Sequence, residues 1–345
     1  MGAAKGSTLT NTHRAPHLGL SVAIDGGNSK TEVVVLEGGP HGLTERARGI
    51  GPGSGAGPHA VASAVAAVLR DLGIAAATVT RVSAAVAGLD FPGDERGHRA
   101  ALAELFQRAA VEVVGDAVAV LDAGAGLGDA LAVVCGAGLN AVARGPHGLA
   151  TVPALGWPSG DWGGGDELGR EAVRAAARAE DGRGPSTSLL PLVLTETGAA
   201  DTVALSRAIR DGDVSMRQVG SLASVVARAA AEGDPVASGI VERAAAEAVA
   251  LAAVVARRAW AADPASTGDA PGRRLLVPPG TPAVLAGGMF SDPGFRGTVS
   301  SGLRRLGFDP RPLEFRPVDG LVRALREALA RTSTDAPTDP HPRTP

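Results

Sequence analysis

The stretch of the chain best suited to chemistry is a polar turn, Asp25–Thr31, which lies between two apolar runs. It reads Asp-Gly-Gly-Asn-Ser-Lys-Thr. Paired glycines let backbone N–H groups converge on an anion because no Cβ intervenes, and a lysine and hydroxyls add donors. The carboxylate of Asp25 is of the type that holds a hydrated Mg²⁺. The residues that could donate hydrogen bonds to a phosphate are Gly26, Gly27, Asn28, Ser29, Lys30 and Thr31. The turn therefore predicts a phosphate site, although such residues are also common in an ordinary tight hairpin.

The turn does not match the two commonest nucleotide-binding motifs. A P-loop has glycine directly before Lys-Thr, whereas Ser29 stands there in this chain. A dinucleotide fingerprint opens a helix, whereas the apolar run Val33–Leu36 predicts a strand after the turn. The run Val22–Ile24 predicts another strand before it. We therefore expect a β-hairpin with the phosphate site at its tip.

A second glycine turn repeats this pattern further along the chain. The apolar strand Leu131–Cys135 leads into Gly136-Ala137-Gly138, and a second short strand follows. The glycines and Ala141 also match a dinucleotide fingerprint, but Pro146 arrives too soon for the helix that this motif requires. The repetition predicts a duplicated domain, with two phosphate turns facing each other across a cleft.

Two aspartates are candidates for chemistry on an acceptor hydroxyl. Asp116 directly follows an apolar strand and Gly115, and a carboxylate at a strand's end can orient a hydroxyl and accept its proton. Asp161 lies in a glycine-rich loop between Trp157 and Trp162, whose indoles suit the C–H face of a sugar. Either aspartate could instead cap a helix.

Apolar periodicity predicts the elements that must position these residues. A helix is predicted over Pro58–Leu72, whereas Gly49–Gly55 is predicted as a loop because it is so rich in glycine. The second half is mostly helical, including Pro235–Trp260, and the strand Ala283–Ala286 ends at a third glycine pair, Gly287-Gly288. Further elements are predicted over Val82–Leu89, Arg99–Ala110, Val111–Val114, Gly169–Glu180, Ala204–Arg210, Met216–Ala231, Pro312–Phe315 and Val318–Ala330.

Length and composition predict a globular protein of two α/β domains. The chain has 345 residues, 45% of them hydrophobic, and a net charge of −3. We expect domains over residues 19–127 and 128–331, the second with a helical insertion, and disordered tails over 1–18 and 332–345. Aromatic residues make up 3% and tyrosine is absent, which argues against nucleic acid as a partner. A single cysteine, Cys135, and no apolar stretch of membrane-spanning length predict a cytoplasmic protein.

Taken together, the motifs resemble those of the BadF/BadG/BcrA/BcrD-type ATPase family, in its N-acetylglucosamine kinase-like branch. This family lies within the actin-like/hexokinase/Hsp70 superfamily. The resemblance runs from about Val22 to Leu329, and the motifs occur in the family's order. They are Asp25–Thr31, Gly51–Ser54, Gly115–Ala117, Gly136–Asn140, Gly156-Trp157 with Gly160-Asp161, and Gly287-Gly288.

The resemblance implies an actin-like ATPase (ribonuclease H-like) fold, with two duplicated α/β domains around a nucleotide cleft. It implies ATP and Mg²⁺ as cofactors, a small-molecule sugar as substrate, and allows a homodimer. It makes Asp116 the catalytic base and Asp25 the metal ligand. It places Gly26, Gly27, Asn28, Ser29, Lys30, Thr31, Gly136, Ala137, Gly138, Gly287 and Gly288 at ATP. It places Ser54, Gly55, Asn140, Gly156, Trp157 and Asp161 at the sugar.

Four residues depart from the family pattern. Ala137 replaces a threonine and Leu139 a serine, so the second phosphate turn loses hydroxyl donors. Gly55 stands where an asparagine often meets the sugar, and Trp162 replaces a glutamate. The changes at Ala137 and Leu139 affect the expected catalytic rate, and those at Gly55 and Trp162 affect which sugar is expected to fit.

Three functions remain open from the sequence. The favoured one is an ATP-dependent kinase of an amino sugar, acting on its 6-hydroxyl. A dehydratase-activating ATPase, which the wider family also contains, needs cysteines for an iron–sulfur cluster, and this chain has only Cys135. A non-catalytic regulator that binds sugar or nucleotide is the third.

Overall fold

Two five-stranded mixed sheets with helices on their faces make up the computed structural model of the chain. The structure describes residues 19–27, 30–39, 42–53, 57–156, 158, 160–261 and 277–334. The first sheet contains β1 (Leu20–Gly26), β2 (Lys30–Gly39), β3 (Gly42–Pro52), β4 (Val79–Val86) and β5 (Ala110–Gly115). The second contains β6 (Ala130–Cys135), β7 (Leu139–Gly145), β8 (Gly148–Thr151), β9 (Pro282–Ala286) and β10 (Asp309–Pro312). The helices are α1 (Pro58–Asp71), α2 (Asp94–Leu105), α3 (Asp116–Ala125), α4 (Gly165–Glu180), α5 (Leu189–Thr197), α6 (Thr202–Asp211), α7 (Met216–Ser221), α8 (Ala223–Ala231), α9 (Pro235–Trp260), α10 (Pro293–Arg305) and α11 (Pro317–Thr334).

The predicted hairpin is confirmed as β1 and β2, which pair antiparallel with Asp25 opposite Glu32. Val22 and Ile24 pack in the cluster formed with α1 and α2, whereas Ala23 packs with α3 and α11. Side chains alternate along a strand, so Asp25 shares the face of Ala23. The run is continuously apolar because both faces of this central strand are buried.

The prediction of a loop over Gly49–Gly55 is wrong for Gly49–Pro52, which forms the end of β3 and pairs with β2. A Cβ on Gly49 would lie 2.6 Å from Cγ1 of Val68, and a Cβ on Gly51 would lie 2.7 Å from Cγ2 of the same valine. Val68 belongs to α1. These glycines therefore let a helix approach the strand closely. Glycine content alone suggested a loop because it carries no information about this packing.

The second sheet repeats the architecture of the first. The strand orders are β3-β2-β1-β4-β5 and β10-β9-β6-β7-β8. In each sheet a central strand, β1 or β6, has an antiparallel meander on one side and two parallel strands on the other. This repetition confirms the predicted duplicated α/β fold. The predicted last strand, Pro312–Phe315, lies earlier, because β10 spans Asp309–Pro312 and pairs with β9.

Helix α3 lies between the two sheets. All its residues from Ala117 to Ala123 are buried. Ala119 packs with the first sheet and α11, while Leu121 packs with β6, β7 and β9 of the second sheet. A Cβ on Gly124 would lie 2.5 Å from Cγ1 of Val284, so this helix approaches β9 as closely as glycine permits. A helix that is apolar on all sides is expected where it is covered from both sides.

The last helix, α11, packs against the first sheet, although it follows the second sheet in the sequence. Val318, Leu321, Val322 and Leu325 share a core cluster with β1 and β2. It also extends to Thr334, beyond the expected start of the C-terminal tail at residue 332. The division into domains at residue 127 stays a prediction, and residues 1–18 and 335–345 lie outside the described part.

The helical layer differs from the prediction at several helices. Helix α2 spans Asp94–Leu105 and not Arg99–Ala110, because Ala110 begins β5, and α4 begins at Gly165 and not at Gly169. Met216–Ala231 forms two helices, α7 and α8, separated at Leu222, whose N–H donates to Val219 O. The sequence reading missed α5, because Pro191 lies inside it. Proline is tolerated there because N–H groups in a first helical turn have no partner within the helix. Helix α9 has the predicted limits. No helix in the described residues is long and apolar enough to cross a membrane.

Candidate active site

The first glycine turn lies at the end of β1. Gly27 N donates to Lys30 O at 2.9 Å and closes the turn, while Asn28 and Ser29 lie outside the described residues. Gly26 pairs with Thr31 in the hairpin. Thr31 lies on the strand face opposite Asp25, fully buried, and no described residue bonds its Oγ1. The structure therefore does not bring the Thr31 hydroxyl to the Asp25 side of the turn.

Lys30 is held by a carboxylate from the same strand. Its Nζ lies 3.0 Å from Oε2 of Glu32, whose side chain is fully buried. Arg48 and Arg316 also donate to Glu32, at 3.0 and 2.7 Å. Burial alone would raise the pKa of Glu32, but hydrogen bonds from Arg316, Lys30 and Arg48 outweigh it and lower the pKa to about 2. Sequence reading missed this buried anion, which ties the hairpin to the segment leading into α11.

The second glycine turn is held against the start of α4. Gly136 N donates to Gly138 O at 2.9 Å, and Gly165 N donates to Gly136 O at 2.8 Å. Asp166 N donates to Ala137 O at 2.9 Å. A Cβ on Gly164 would lie 2.4 Å from Ala137 O, so only glycine allows this approach. The helix N-terminus and the turn therefore form one rigid unit.

The third glycine pair lies next to the second turn. Gly287 has φ +103°, and a Cβ on it would lie 2.3 Å from Cys135 O. A cavity of about 860 Å³ opens between these turns and helices α7 and α8. Its lining includes Gly136, Ala137, Gly288, Met289, Met216 and Arg217. The cavity lies where the second and third predicted nucleotide turns meet and is large enough for a nucleotide, whereas no described residue of the first turn lines it.

Two carboxylates, those of Asp25 and Asp116, lie at the ends of β1 and β5, the strands on either side of β4 in the first sheet. Asp25 is 8% exposed, and its pKa is raised to about 6 by burial and then by the charge of Asp116. Burial also raises the pKa of Asp116. The N-cap of α3 is Gly115, and the Asp116 carboxylate accepts a hydrogen bond from the adjacent Ala117 N, at 2.8 Å. The helix-cap alternative for Asp116 is therefore not what the structure shows.

Asp161 closes the loop on which it lies. Its Oδ2 accepts from Gly156 N at 2.8 Å, and its own N–H donates to Gly156 O at 3.3 Å. Gly164, and not Asp161, is the N-cap of α4. A cavity of about 190 Å³ lies beside this loop, and its lining includes Gly138, Leu139, Ala154, Gly156, Asp161 and Trp162. This volume suits part of a small acceptor molecule.

Other predicted sugar contacts are only partly placed. Trp162 is 9% exposed, and the guanidinium of Arg243 lies over its ring, 4.1 Å from the centroid. One face of this indole is thus already covered. Asn140 lies on β7 opposite Val134, outside the residues that line the smaller cavity. Ser54, Gly55 and Trp157 lie outside the described residues.

Asp90 is an acidic residue of this region that the sequence reading missed. Its Oδ1 accepts from Ala154 N at 3.2 Å, across the cleft between the two sheets. Burial raises its pKa, and the charges of Asp94 and Asp161 act in the same direction. Asp90 follows the predicted strand Val82–Leu89, so the rule that selected Asp116, a carboxylate after an apolar strand, could have found it.

The described residues contain no cluster of three or more side chains typical of a protein-only metal site. Mg²⁺ in phosphate-transfer sites commonly has only one or two carboxylate ligands and keeps water and phosphate oxygens as the others. Asp25, with Asp116 beside it, fits that pattern, since hard oxygen ligands suit this ion.

Comparisons with known proteins agree with this architecture. Proteins provisionally named N-acetylglucosamine kinases, from Chromobacterium violaceum and Porphyromonas gingivalis, each align with a TM-score of 0.63, at 21% and 20% identity. They cover 90% of this chain and 100% and 99% of their own. Hexokinase from Schistosoma mansoni, complexed with glucose, aligns with a TM-score of 0.50 at 15% identity, covering 90% of this chain and 86% of its own.

The structural likeness establishes an actin-like ATPase fold. No curated protein sequence matches the chain significantly. A sequence profile, in contrast, matches residues 22–305, which is most of the chain and includes every turn described above. The chain therefore belongs to the BadF/BadG/BcrA/BcrD ATPase family.

Proposed function

We propose that this protein is an ATP-dependent carbohydrate kinase that transfers the γ-phosphoryl group of ATP to an amino sugar. N-acetylglucosamine or glucosamine, phosphorylated at the 6-hydroxyl, is the proposed acceptor. The observation that carries the proposal is the placement of two largely desolvated carboxylates, Asp25 and Asp116, at the ends of β1 and β5, with Asp25 next to the first glycine turn. Such a site supplies what phosphoryl transfer needs, namely positioning and charge stabilisation rather than covalent catalysis by the protein.

Asp116 is proposed as the residue that orients the acceptor hydroxyl and takes its proton. In the described part of the chain, its carboxylate accepts only from backbone N–H groups, those of Ala117 and of Asp116 itself, which leaves oxygen lone pairs for a substrate. Burial raises its pKa, so the carboxylate is a better proton acceptor than an exposed aspartate. It stands at the start of α3, the helix between the sheets, whose residues Ala117–Ala123 are all buried.

Asp25 is proposed to hold Mg²⁺ bound to the nucleotide phosphates. Mg²⁺, when bound, neutralises charge that develops on the phosphoryl oxygens. Asp25 is fixed on the central strand β1 and is nearly buried, so its carboxylate is oriented before any ligand arrives. The glycine turns at Gly136–Gly138 and Gly287-Gly288 are proposed to bind phosphate and adenosine, respectively.

Asp161 is proposed to accept hydrogen bonds from sugar hydroxyls. One of its oxygens is held by Gly156 N, which orients the carboxylate toward the small cavity that it lines. Provisional N-acetylglucosamine kinases share the fold at about 20% identity, which supports this substrate class among the alternatives.

The dehydratase-activator alternative finds no support at Cys135. This thiol is buried, it donates to Gly163 O at 3.1 Å, and burial raises its pKa to about 12. A cluster ligand must be a thiolate that can reach a partner subunit's cysteine. The position of Cys135 inside the second sheet is unsuited to that role.

The test is ADP release by the purified protein with Mg²⁺-ATP and a panel of hexoses and amino sugars, with the product mass measured. We expect turnover with N-acetylglucosamine or glucosamine, a product heavier by one phosphoryl group, and none with a 6-deoxy analogue. Turnover equal in the presence and absence of every sugar would contradict the kinase. Binding of sugar and ATP without turnover would instead favour the regulator, since Ala137 and the buried Leu139 supply no hydroxyl to the second turn.

A further inference from the structure

A side-chain hydrogen bond joins the two halves of the molecule at the acceptor end of the cleft. Asp90 follows β4 of the first sheet, and Ala154 follows β8 of the second. Oδ1 of Asp90 accepts from Ala154 N at 3.2 Å. Because a backbone N–H is the donor, the contact depends on the position of the loop and not on which side chain the loop carries.

Asp90, the residue of the first half in this contact, is held in place by hydrogen bonds to the start of α2. Asp90 N and Phe91 N both donate to Oδ2 of Asp94, at 3.1 and 2.8 Å. Asp94 is the first residue of α2, and its carbonyl oxygen lies 2.9 Å from Nδ1 of the buried His98. Asp90 is therefore presented by the start of a packed helix and not by an unsupported loop.

The second-half end of the contact belongs to the acceptor loop. Ala154, Gly156 and Asp161 all line the cavity of about 190 Å³. Gly156 and Asp161 are joined to each other by two hydrogen bonds, at 2.8 and 3.3 Å. Ala154 is two residues from Gly156, which binds the Asp161 carboxylate. Fixing the position of Ala154 therefore also restricts the position of that carboxylate.

We propose that Asp90 is a positioning residue, which holds the acceptor loop of the second half against the first half through Ala154. The inference rests on the proposed function for its effect on sugar, but the contact itself does not. The carboxylate acts as a hydrogen-bond acceptor, so an amide oxygen at the same place would serve. This distinguishes Asp90 from a proton acceptor, for which replacement by asparagine would be as damaging as replacement by alanine.

Two variants, Asp90→Ala and Asp90→Asn, separate these roles. Loss of a hydrogen bond to a charged group corresponds to a factor of about ten or more in affinity. We expect Asp90→Ala to raise the KM for sugar about tenfold and to leave the KM for ATP within about twofold. Asp90→Asn should restore the KM for sugar to within about threefold of the parent. Glu104→Ala, at an exposed site on α2, is the matched control and should change neither constant.

Hydrogen exchange tests the contact without any turnover. Peptides covering residues 152–156 should exchange faster in Asp90→Ala than in the parent, with near-parental exchange in Asp90→Asn and Glu104→Ala. Unchanged exchange in Asp90→Ala would overturn the proposal, as would equal loss of sugar affinity in both Asp90 variants. If the parent phosphorylates no sugar, the proposed function fails, while the exchange result still decides whether Asp90 holds this loop.

Discussion

At the scale of single residues, the site is a set of carboxylates in unlike surroundings. Asp25 is buried, Asp116 is half-buried, and burial raises the pKa of both. In contrast, Glu32, directly across the hairpin from Asp25, has its pKa lowered by three basic residues. The pKa values of two acids that lie opposite each other on β1 and β2, Asp25 and Glu32, are thus shifted in opposite directions. Divergent pKa values of this kind mark sites where protons or cations are handled.

Replacing Asp116 by asparagine should abolish turnover while sugar binding persists. The amide keeps the size of the side chain but cannot accept a proton, and general-base catalysis contributes about 10²–10⁴-fold in rate. Steady-state rates together with calorimetric titration of sugar measure the two effects separately. A rate within a few-fold of the parent would show that Asp116 is structural and would remove it from the mechanism.

Replacing Asp25 by asparagine should stabilise the metal-free protein at neutral pH. The pKa of Asp25 is about 6 in the folded state and near 3.8 when unfolded, so the folded state holds its proton more tightly. Ionisation of Asp25 therefore costs stability as the pH rises from about 4 to 6, by about 1–3 kcal/mol in total.

Urea unfolding in the presence of a chelator, at pH 4 and pH 7.5, provides the measurement. The stability advantage of Asp25→Asn over the parent should be largest at pH 7.5 and shrink at pH 4. The same variant should lose Mg²⁺-dependent nucleotide binding. An advantage that does not change with pH would mean that Asp25 ionises normally in the folded protein.

Replacing Asp161 by alanine should raise the KM for sugar sharply and leave the KM for ATP nearly unchanged. A hydrogen bond to a charged group contributes about 1.5–3 kcal/mol, which corresponds to roughly ten- to hundred-fold in affinity. Initial rates over both substrates decide the point. If ATP affinity falls and sugar affinity does not, Asp161 belongs to the nucleotide side of the site.

At the scale of elements, glycine sets how closely helices approach strands and turns. Gly49 and Gly51 let α1 pack closely on β3, and Gly124 lets α3 pack closely on β9. Gly164 lets the start of α4 contact the second glycine turn. In each case a Cβ would overlap a packed neighbour. The functional turns are therefore fixed by close packing of the elements that carry them.

The contact between β3 and α1 predicts a specific coupling. Gly51→Ala should destabilise the protein by about 1–3 kcal/mol, because the new Cβ would lie 2.7 Å from Cγ2 of the buried Val68. In a Val68→Ala background the same change should cost less, since the opposing methyl groups are gone. A double-mutant cycle from urea unfolding measures this difference.

The control is Gly297→Ala in α10, an exposed position with no atom near the new Cβ. It should be neutral or stabilising by up to about 1 kcal/mol, because alanine has the higher helix propensity. Equal costs of Gly51→Ala in both backgrounds would show that the strand, and not its contact with α1, is what the substitution disturbs.

At the scale of the whole molecule, α3 packs against both sheets, and the candidate site draws residues from both halves. Asp25, Asp90 and Asp116 come from the first half, whereas Asp161 and the second and third glycine turns come from the second half. A reaction that needs both sets must bring the halves together. Closure would also exclude water from the transferring phosphoryl group.

We therefore expect sugar binding to compact the protein. Small-angle scattering should show a smaller radius of gyration with saturating sugar than without it. Asp161→Ala, measured at the same sugar concentration, should remain in the more open form and is the control. An unchanged radius of gyration in the parent, under conditions where sugar binding is measured independently, would remove the closure step.

Sequence alone determined the elements whose signals are local. The hairpin around Asp25, the limits of α9 and the duplication of the glycine turns all follow from alternation, helix capping and repetition within short stretches of chain. The family was also within reach, since its motifs are ordered along the sequence. These features depend on residues that are near neighbours in the chain, so their signals survive without knowledge of the packing.

The tertiary structure decided whatever depends on residues far apart in the sequence. The glycine-rich end of β3 is a strand because Val68 packs on it, and Lys30 is engaged because Glu32, Arg48 and Arg316 converge there. Asp90 contacts Ala154, 64 positions away, only because folding brings the loops after β4 and β8 together. Such contacts leave no periodic pattern in the sequence. Neither residue of a contact is distinctive on its own, because the contact exists only in the folded chain.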